Sequence, residues 1–254
     1  MAYEHIERRD ESAFSVITMS RPERRNALSE AHLRELLQAL REIGESDQAG
    51  VIVAAEGPVF SAGHDFADMD GRDLPAMRAL LGICAEVMQL VQALPQVVIA
   101  EVDGLATAAG CQLVSSCDLA VASETSRFQV PGGAGGWFCT TPGVALARAV
   151  GRKHALEMLL TGDPIDAPTA LAWGLVNRVV PSEQVAKETR ALLSRATRGS
   201  RSSKALGKQA FYRQVDLELP SAYGYASEVM ASASQTPDAK EGVRAFLEKR
   251  RPGF

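Results

Sequence analysis

The sequence predicts an α/β fold with parallel strands, followed by a C-terminal α-helical region. Apolar runs typical of buried strands alternate with segments of helical periodicity up to about residue 142, and strand patterns nearly vanish after that point. The chain has 254 residues, which is near the upper end for one compact domain. We therefore expect one α/β core with a helical appendage.

Each element is predicted from its local pattern. Phe14–Met19 alternates as a half-buried strand does, and residues 3–9 would form its partner. Leucines between residues 33 and 43 recur at helical spacing behind Ser29, whose hydroxyl suits a helix N-cap. The other predicted elements are strands at 51–55, 96–102, 119–122 and 176–180, a helix at 75–93, and a helix in the small-residue segment around residue 113.

The composition changes at residues 197–200, where Thr-Arg-Gly-Ser is typical of a hinge. We therefore predict a core over residues 1–196 and a separate helical region over residues 197–254. No low-complexity linker or short repeat interrupts either part.

Composition and charge disfavour several classes of protein. A net charge of −4, with 46% hydrophobic and 23% charged residues, is typical of a globular protein and gives no general attraction for nucleic acid. Six basic residues and no acidic ones lie between residues 195 and 213, but no aromatic ladder accompanies them, so a solvated face is the preferred interpretation. The apolar segment 74–94 contains Arg78, Glu86 and Gln89, so we expect no membrane span.

The first residues show neither a secretory nor an Arg/Ser-rich leader pattern, so a cytoplasmic location is predicted. The cysteines and histidines are scattered without metal-binding spacing. We therefore expect reduced, structural thiols and no metal site. These residues are Cys84, Cys111, Cys117 and Cys139, and His5, His32, His64 and His154.

Two stretches of very small side chains each follow a predicted strand. They are SAG within FSAGHDF (60–66) and ATAAG within GLATAAG (104–110). In a parallel sheet both turns would lie beyond the carboxyl ends of the strands, where ligands commonly bind. Two such turns can direct two main-chain N–H groups at one oxygen atom, which is an oxyanion hole. Close packing of strand against helix, without a ligand, is the alternative interpretation.

Longer motifs extend this pattern over nearly the whole chain. They are SRPERRNAL (20–28), FSAGHDF (60–66), GLATAAGCQLVSSCDLAVAS (104–123), PGVALARAVG (142–151), LLTGDPIDAPTALAWGLVNRVVP (159–181) and EGVRAFLEKRRP (241–252). Together they resemble the crotonase superfamily, also called the enoyl-CoA hydratase/isomerase family. The resemblance implies a spiral of β-β-α repeats, a C-terminal helical region that builds trimers or dimers of trimers, and an acyl-CoA thioester as ligand. Coenzyme A would be part of the substrate, with no separate cofactor.

The resemblance also implies roles for individual residues. The main-chain N–H groups of His64 and Ala109 would form the oxyanion hole, and the carbonyl of Ala62 would accept from the adenine amino group. Phe246 and Lys249 fall where the family reaches the CoA of a neighbouring subunit. The implied contacts are Arg24, Arg25, Ala27, Leu28, Ala62, Gly63, His64, Asp65, Phe66, Ala108, Ala109, Gly110, Pro131, Gly132, Trp137, Phe246 and Lys249.

The sequence departs from the family at the two groups that move protons. A hydratase of this family uses two glutamates, and their positions here hold Gln112 and Gly132. An amide cannot exchange protons at neutral pH and glycine has no side chain, so ordinary hydration is not expected. We also expect Gly132 to depend on the backbone freedom of glycine, since it lies in a Gly-rich turn.

Few other groups near the turns could replace the glutamates. His64 has a suitable intrinsic pKa for a base, but a structural role is preferred. The carboxylates that follow it are read as capping or solvated groups, and Cys111 as a buried thiol. Asp118 is read as an architectural residue between helix and strand. The residues weighed in this way are His64, Asp65, Asp68, Asp70, Cys111 and Asp118.

Two main functions remain open at this point. The chain is either an acyl-CoA enzyme with weak hydratase activity or with an altered reaction (isomerisation, decarboxylation or thioester hydrolysis), or a non-catalytic acyl-CoA binder. Trp137 and Phe138 are expected to form a wall of the acyl pocket, with plain core packing as the alternative.

Overall fold

The computed structural model describes residues 3–254, which form two β-sheets surrounded by helices. The strands are β1 (Ile6–Glu11), β2 (Phe14–Met19), β3 (Gly50–Ala55), β4 (Val59–Ser61), β5 (Val97–Val102), β6 (Leu105–Thr107), β7 (Leu119–Ser123), β8 (Arg127–Gln129), β9 (Ile165–Asp166) and β10 (Arg178–Val180). The helices are α1 (Glu30–Gly44), α2 (Phe66–Met69), α3 (Leu74–Ala93), α4 (Ala109–Ser116), α5 (Thr140–Val150), α6 (Arg152–Thr161), α7 (Ala167–Trp173), α8 (Val185–Thr197), α9 (Arg201–Gln214), α10 (Leu219–Ala233) and α11 (Pro237–Leu247). The predicted α/β class with C-terminal helices is confirmed.

The two sheets are built by a repeating unit. One sheet has six strands in the order β1-β2-β3-β5-β7-β10, and the other has four in the order β4-β6-β8-β9. The units β3-β4, β5-β6 and β7-β8 each give one strand to each sheet and are followed by a helix. Pairing is parallel except for β1 with β2 and β8 with β9. This arrangement is the expected spiral of β-β-α repeats, and it places the ends of β4 and β6 side by side.

The helices with strong patterns form as predicted. Ser29 caps α1 by accepting a hydrogen bond from the N–H of His32 at 3.2 Å, and the leucine face of α1 is buried in the core. Within residues 3–254, α3 is the one helix that is long and apolar enough to cross a membrane. One face of this helix packs into the hydrophobic core through Leu80, Cys84, Val87, Met88 and Val91.

The first and the last predicted strands differ most from the observed bounds, and the strands at 51–55, 96–102 and 119–122 differ by one residue each. The first strand begins at Ile6, where pairing with Met19 starts, and not at residue 3. The last strand begins at Arg178 and not at residue 176, since the Val176 N–H donates to the Ala170 carbonyl of α7 and not to β7. The Asn177 side chain accepts from the N–H of Ala120 at 2.8 Å, and the Asn177 N–H donates to the Ala120 carbonyl at 2.8 Å.

Five of the six basic residues between 195 and 213 are exposed, as a solvated face requires, and the exception is Lys208. Lys208 of α9 is buried, with its side chain 8% exposed, and its Nζ lies 2.7 Å from Asp118 Oδ2. Arg195 pairs with Glu188 at 3.1 Å. The predicted division between residues 196 and 197 falls at the last turn of α8, and it stays a prediction.

Candidate functional site

The first small-residue turn follows β4 and is held by a short parallel bridge. The N–H of Leu28 donates to the Gly63 carbonyl at 2.7 Å, and the N–H of Asp65 donates to the Leu28 carbonyl at 3.3 Å. In this pattern His64, which lies between Gly63 and Asp65, directs its own N–H away from the segment that contains Leu28. The His64 N–H accordingly has no acceptor among residues 3–254.

Asn26 supports this turn, and sequence reasoning did not single it out. It is fully buried in a left-handed conformation with φ of 50°. Its Nδ2 donates to the carbonyls of Glu56 and Val59 at 2.9 and 2.8 Å, and its Oδ1 accepts from the Arg21 N–H at 2.9 Å. The buried amide therefore ties the chain before α1 to both ends of the β3–β4 connection. An asparagine between two charged residues and an apolar run was the only signal in the sequence.

The second turn leads from β6 into α4 and is strained. Ala108 has φ of 49° and ψ of −118°, a region that residues other than glycine rarely adopt. Its N–H donates to the Gln129 carbonyl at 2.9 Å. Ala108 is the N-cap of α4 but has no side-chain oxygen, so it cannot cap the helix. The N–H of Ala109, the first residue of α4, finds no acceptor in the part of the chain that the structure describes.

The two turns touch each other, which explains their small side chains. A Cβ atom on Gly63 would lie 2.8 Å from Ala108 Cβ and 3.1 Å from the Ala109 nitrogen. A Cβ atom on Gly110 would lie 2.6 Å from the Ser61 carbonyl oxygen. Packing alone therefore requires glycine at positions 63 and 110. Packing does not require two neighbouring main-chain N–H groups without acceptors, and this feature is typical of a site for an anionic or carbonyl oxygen.

Several of the residues expected to contact CoA lie around the first turn. The Ala62 carbonyl accepts no hydrogen bond from the described residues. The Ala62 N–H donates to the Arg25 carbonyl at 2.9 Å. Arg24 places its Nη2 3.1 and 3.2 Å from the two carboxylate oxygens of Asp65. The side chain of Arg25 is exposed, and Phe66 is 74% exposed.

Ala27 and Leu28 are more deeply buried than residues that contact a ligand at the surface. Ala27 is 8% exposed and Leu28 is fully buried in the core. The main chain of Leu28 is also occupied, because it holds Gly63 and Asp65. These two residues therefore support the turn from behind.

Of the three carboxylates after His64, those of Asp65 and Asp68 are used in structural contacts, and Asp70 is exposed to solvent. Asp65 caps α2 by accepting from the Ala67 N–H at 3.1 Å, as predicted. Asp68 accepts from the Glu30 N–H at 2.7 Å and pairs with Arg72 at 2.9 Å. Such engaged carboxylates are poor candidates for moving protons.

His64 is half-buried, and the two nitrogen atoms of its imidazole are shielded from solvent. Neither ring nitrogen has a hydrogen-bond partner of normal geometry among the described residues. Burial lowers the pKa of His64 below its usual value, and the main chain of Leu28 and the charge of Asp68 offset this only in part. The ring is therefore neutral at physiological pH.

The two positions that the family fills with glutamate differ from each other here. Gln112 lies on α4, is 5% exposed, and its Oε1 has no partner within residues 3–254. Gly132 is enclosed by its own loop, because a Cβ atom there would lie 2.2 Å from the Trp137 carbonyl oxygen and 2.7 Å from Cys139 Sγ. Its φ lies outside the left-handed region, so the expectation that it depends on backbone freedom is wrong. Lack of space is what requires glycine.

The remaining predicted contacts lie at the surface of the single chain. Pro131 begins the tight turn that contains Gly132, and Trp137 and Phe138 are 46% and 42% exposed. Phe246 is 82% exposed at the end of α11, which packs on α9, and Lys249 lies exposed just beyond it. A contact of Phe246 and Lys249 with the CoA of a neighbouring subunit remains a prediction.

All four cysteines are free, in agreement with the predicted reduced thiols. Burial raises the pKa of Cys111 to about 12 and also raises that of Cys139, so both are neutral thiols near pH 7. Among residues 3–254 no group of three or more His, Cys, Asp or Glu side chains could hold a metal ion.

Comparison with known proteins places the chain in a family. The family model described as enoyl-CoA hydratase/isomerase matches residues 9–254. The chain is 48% identical over 248 residues to mitochondrial enoyl-CoA hydratase domain-containing protein 3 of Mus musculus, covering 96% of this chain and 82% of the relative. The Homo sapiens protein of the same name is 47% identical over 240 residues, covering 93% of this chain and 78% of the relative.

Solved structures agree with the sequence relatives. A crystal structure of enoyl-CoA hydratase from Mycobacterium smegmatis has a TM-score of 0.95 at 46% identity, covering 98% of both chains. That of human enoyl-CoA hydratase domain-containing protein 3 has a TM-score of 0.95 at 43% identity, covering 99% of this chain and 100% of the other.

The chain therefore belongs to the enoyl-CoA hydratase/isomerase family, the crotonase superfamily. Within it, the chain is similar to the proteins named enoyl-CoA hydratase domain-containing protein 3. The predicted cytoplasmic location is contradicted, because these relatives at 47–48% identity are named mitochondrial proteins. That prediction depended on the absence of a leader pattern, and such an absence does not decide a location.

Proposed function

We propose that the chain binds acyl-CoA thioesters and holds the thioester carbonyl oxygen between the main-chain N–H groups of His64 and Ala109. The observation that carries this proposal is the pair of unpaired amides at two touching turns. The names of the relatives, which are enoyl-CoA hydratases, support the class of ligand. Coenzyme A is part of the substrate, and the proposal needs no further cofactor.

Such a site would stabilise charge on the carbonyl oxygen. When an acyl thioester loses or gains a proton at its α-carbon, negative charge develops on that oxygen. Each donor of an oxyanion hole contributes about 3 kcal/mol to stabilising such a charge. Because the donors are main-chain groups, the side chains at positions 64 and 109 have little influence on this effect.

We further propose that hydration of an enoyl-CoA is very slow or absent. Loss of one positioned acid or base lowers the rate by about 10²–10⁴, and both positions lack a carboxyl group here. Purified protein should hydrate crotonyl-CoA at the limit of detection, and Gln112→Glu alone should not restore the reaction because the two groups act as a unit. Brisk hydration by the unchanged protein would contradict this part of the proposal.

One observation favours a second candidate function, a binder that does not turn over its ligand. The space for a side chain at Gly132 is filled by the Trp137 carbonyl and the Cys139 thiol. The fold has therefore not merely lost the second carboxyl group but has closed its position. A protein under selection only for binding would tolerate this closure.

We also propose a homotrimer or a dimer of trimers, assembled through the helices after residue 200. A groove of about 560 Å³ between α9 and α10 is lined by apolar side chains. Among them Leu219, Tyr223 and Met230 are each more than two-thirds exposed in the single chain. Exposed apolar surface of this kind typically marks an interface. A monomeric mass in light scattering at micromolar concentration would contradict the assembly.

The oxyanion hole is tested with two ligands that differ only at the carbonyl group. Butanoyl-CoA has a thioester carbonyl, and S-butyl-CoA is a thioether without it. In calorimetry we expect butanoyl-CoA to bind at least about tenfold more tightly, since two hydrogen bonds are lost in the thioether. Equal affinities would contradict the oxyanion hole, and binding of neither compound would contradict the assignment to acyl-CoA.

A further inference from the structure

A small cavity lies where the C-terminal helices meet the core. It has a volume of about 200 Å³ and is lined by residues from three segments, which are 44–49 after α1, 95–97 at the start of β5, and 197–205 around the first turn of α9. Because β3 and β5 are parallel, this edge of the large sheet is opposite to the edge from which the two small-residue turns are reached. The six residues of β3 separate the two edges by about 20 Å, so the cavity is distinct from the proposed thioester site.

Gln96 lines this cavity and has an unpaired amide oxygen. The residue is 4% exposed, and its Nε2 donates to the Ile43 carbonyl at 2.8 Å and lies 3.5 Å from the Ser46 carbonyl. Turning the amide over would place Oε1 against these two carbonyl oxygens, so the orientation of the amide is fixed. Oε1 has no partner within residues 3–254. Native proteins pair nearly all buried amides, so this oxygen indicates a donor that comes from outside the chain.

Gln48 supplies a second acceptor of the same kind. Its Oε1 is shielded from solvent and has no partner among the described residues. The main chain of Gln48 is engaged, because the N–H donates to Ser46 Oγ at 3.2 Å and the carbonyl accepts from Arg201 Nη2 at 3.1 Å. Two of the eight buried side-chain atoms without a partner in residues 3–254 therefore belong to the lining of one small cavity. A ligand that carries O–H or N–H groups would satisfy both acceptors.

The wall that α9 gives to the cavity carries positive charge. Arg201 and Lys204 belong to the lining, and no carboxylate does. Lys208, further along the same helix, pairs with Asp118, whereas Arg201 and Lys204 form no ion pair in the described part of the chain. Two cations that are not neutralised favour an anionic group in the cavity.

The first turn of α9 adds main-chain donors to this wall. The N–H of Ser203 donates to the Ser200 hydroxyl at 3.0 Å, but those of Arg201 and Ser202 have no acceptor among residues 3–254. The carboxylate at this end of the helix, that of Asp238, accepts from the hydroxyls of Ser200 and Ser202 at 2.6 and 2.7 Å and does not line the cavity. The helix end therefore still favours an anion.

We propose that this cavity binds a small hydroxylated phosphate monoester. The phosphate group lies between Arg201, Lys204 and the first turn of α9, since two cations and free N–H groups suit a dianion. The hydroxyl groups donate to the amide oxygens of Gln48 and Gln96. The ligand thus contacts both the core and α9 and holds them together. This inference is independent of the proposed binding of acyl-CoA thioesters.

The test compares three probes by calorimetry on the full chain. They are glycerol 3-phosphate, propyl phosphate, which lacks the hydroxyl groups, and glycerol, which lacks the phosphate group. We expect glycerol 3-phosphate to bind about tenfold more tightly than propyl phosphate, because two hydrogen bonds are lost in the latter, and we expect no binding of glycerol. Saturation with butanoyl-CoA should leave the affinity for glycerol 3-phosphate within about twofold.

Two variants test the two ends of the ligand separately. Gln48→Met keeps the unbranched shape, and it should weaken glycerol 3-phosphate about fivefold and leave propyl phosphate unchanged. Lys204→Met removes a charge and should weaken both phosphates about fivefold. Lys187→Met is the matched control, since Lys187 lies exposed on α8 outside the cavity, and it should change neither affinity.

Each contrary outcome has a distinct meaning. If none of the three probes binds, or if the two phosphates bind equally well, the inference is overturned. It is also overturned if Gln48→Met or Lys204→Met binds glycerol 3-phosphate as the unchanged protein does, because the ligand then lies elsewhere. Displacement of glycerol 3-phosphate by butanoyl-CoA would place the phosphate in the thioester site and overturn the inference as well. If butanoyl-CoA itself does not bind, only the proposed function is wrong.

Discussion

Helix α4 has one end at which every polar side-chain atom is paired and another at which main-chain donors are left free. Just beyond its C-terminal end, Asp118 accepts from the Val98 N–H at 2.7 Å, from Lys208 Nζ at 2.7 Å and from the Tyr212 hydroxyl at 2.8 Å. At its N-terminal end, the N–H of Ala109 has no acceptor within residues 3–254, and Ala108 is strained. Buried polar groups that only hold a fold are normally paired, so the contrast separates a structural end from a candidate ligand end.

The largest expected effect is at the structural end. Lys208→Met leaves the buried carboxylate of Asp118 without its cation, and we expect the free energy of unfolding to fall by about 3–5 kcal/mol. Lys204→Met is the matched control, since Lys204 lies exposed on the same helix. This variant should change the free energy of unfolding by less than about 0.5 kcal/mol. Urea unfolding of both variants measures the difference. Equal stabilities would show that the ion pair does not hold α9 to the core.

The next effect concerns the closed position near the ligand end. Gly132→Ala places a Cβ atom 2.2 Å from the Trp137 carbonyl oxygen, so the loop must move, at a cost of about 2–3 kcal/mol. In Gly135→Ala the nearest atom is at 3.6 Å, an ordinary contact, and stability should change by less than about 0.5 kcal/mol. Thermal unfolding at one fixed protein concentration compares them. A Gly132→Ala variant as stable as Gly135→Ala would mean that the loop is not closed in solution.

A smaller effect tests the strain at Ala108. Glycine adopts its φ of 49° without penalty, so Ala108→Gly should raise the free energy of unfolding by about 1 kcal/mol. Ala85→Gly, in the interior of α3, should lower it by about 1 kcal/mol, because glycine is a poor helix residue. If chemical denaturation shows a gain in stability for Ala108→Gly and a loss for Ala85→Gly, the result supports stored strain at the ligand end. A loss of stability in both variants contradicts it.

The smallest effect is the response of His64 to pH. Burial lowers its pKa in the folded chain, so the unfolded chain takes up the proton at higher pH, and acid favours unfolding. Stability should therefore fall as the pH decreases below about 6.5, and it should fall less steeply in His64→Gln. Affinity for butanoyl-CoA should stay within about twofold in this variant, since the donor is a main-chain group. An equally steep pH dependence in both proteins would place the ring in solvent.

Local patterns in the sequence were sufficient to predict the capped and periodic parts of the fold. The Ser29 and Asp65 caps depend on residues two or three positions away, and the architectural role of Asp118 follows from its place between helix and strand. The buried Lys208 could not be predicted, because its partner is 90 residues away and its neighbours are basic. At Gly132 the sequence indicated a missing side chain, but only the path of the loop shows that the space is closed.

The central claim is that the ligand carbonyl lies between the N–H groups of His64 and Ala109. Infrared difference spectroscopy of butanoyl-CoA labelled with ¹³C at the thioester carbonyl reports directly on hydrogen bonds to that oxygen. We predict that the carbonyl band of the bound ligand lies at a lower frequency than the band of the same compound in water-free apolar solvent, because two donors polarise the C=O bond. A carbonyl band at the same frequency in the saturated complex and in water-free apolar solvent would contradict the account.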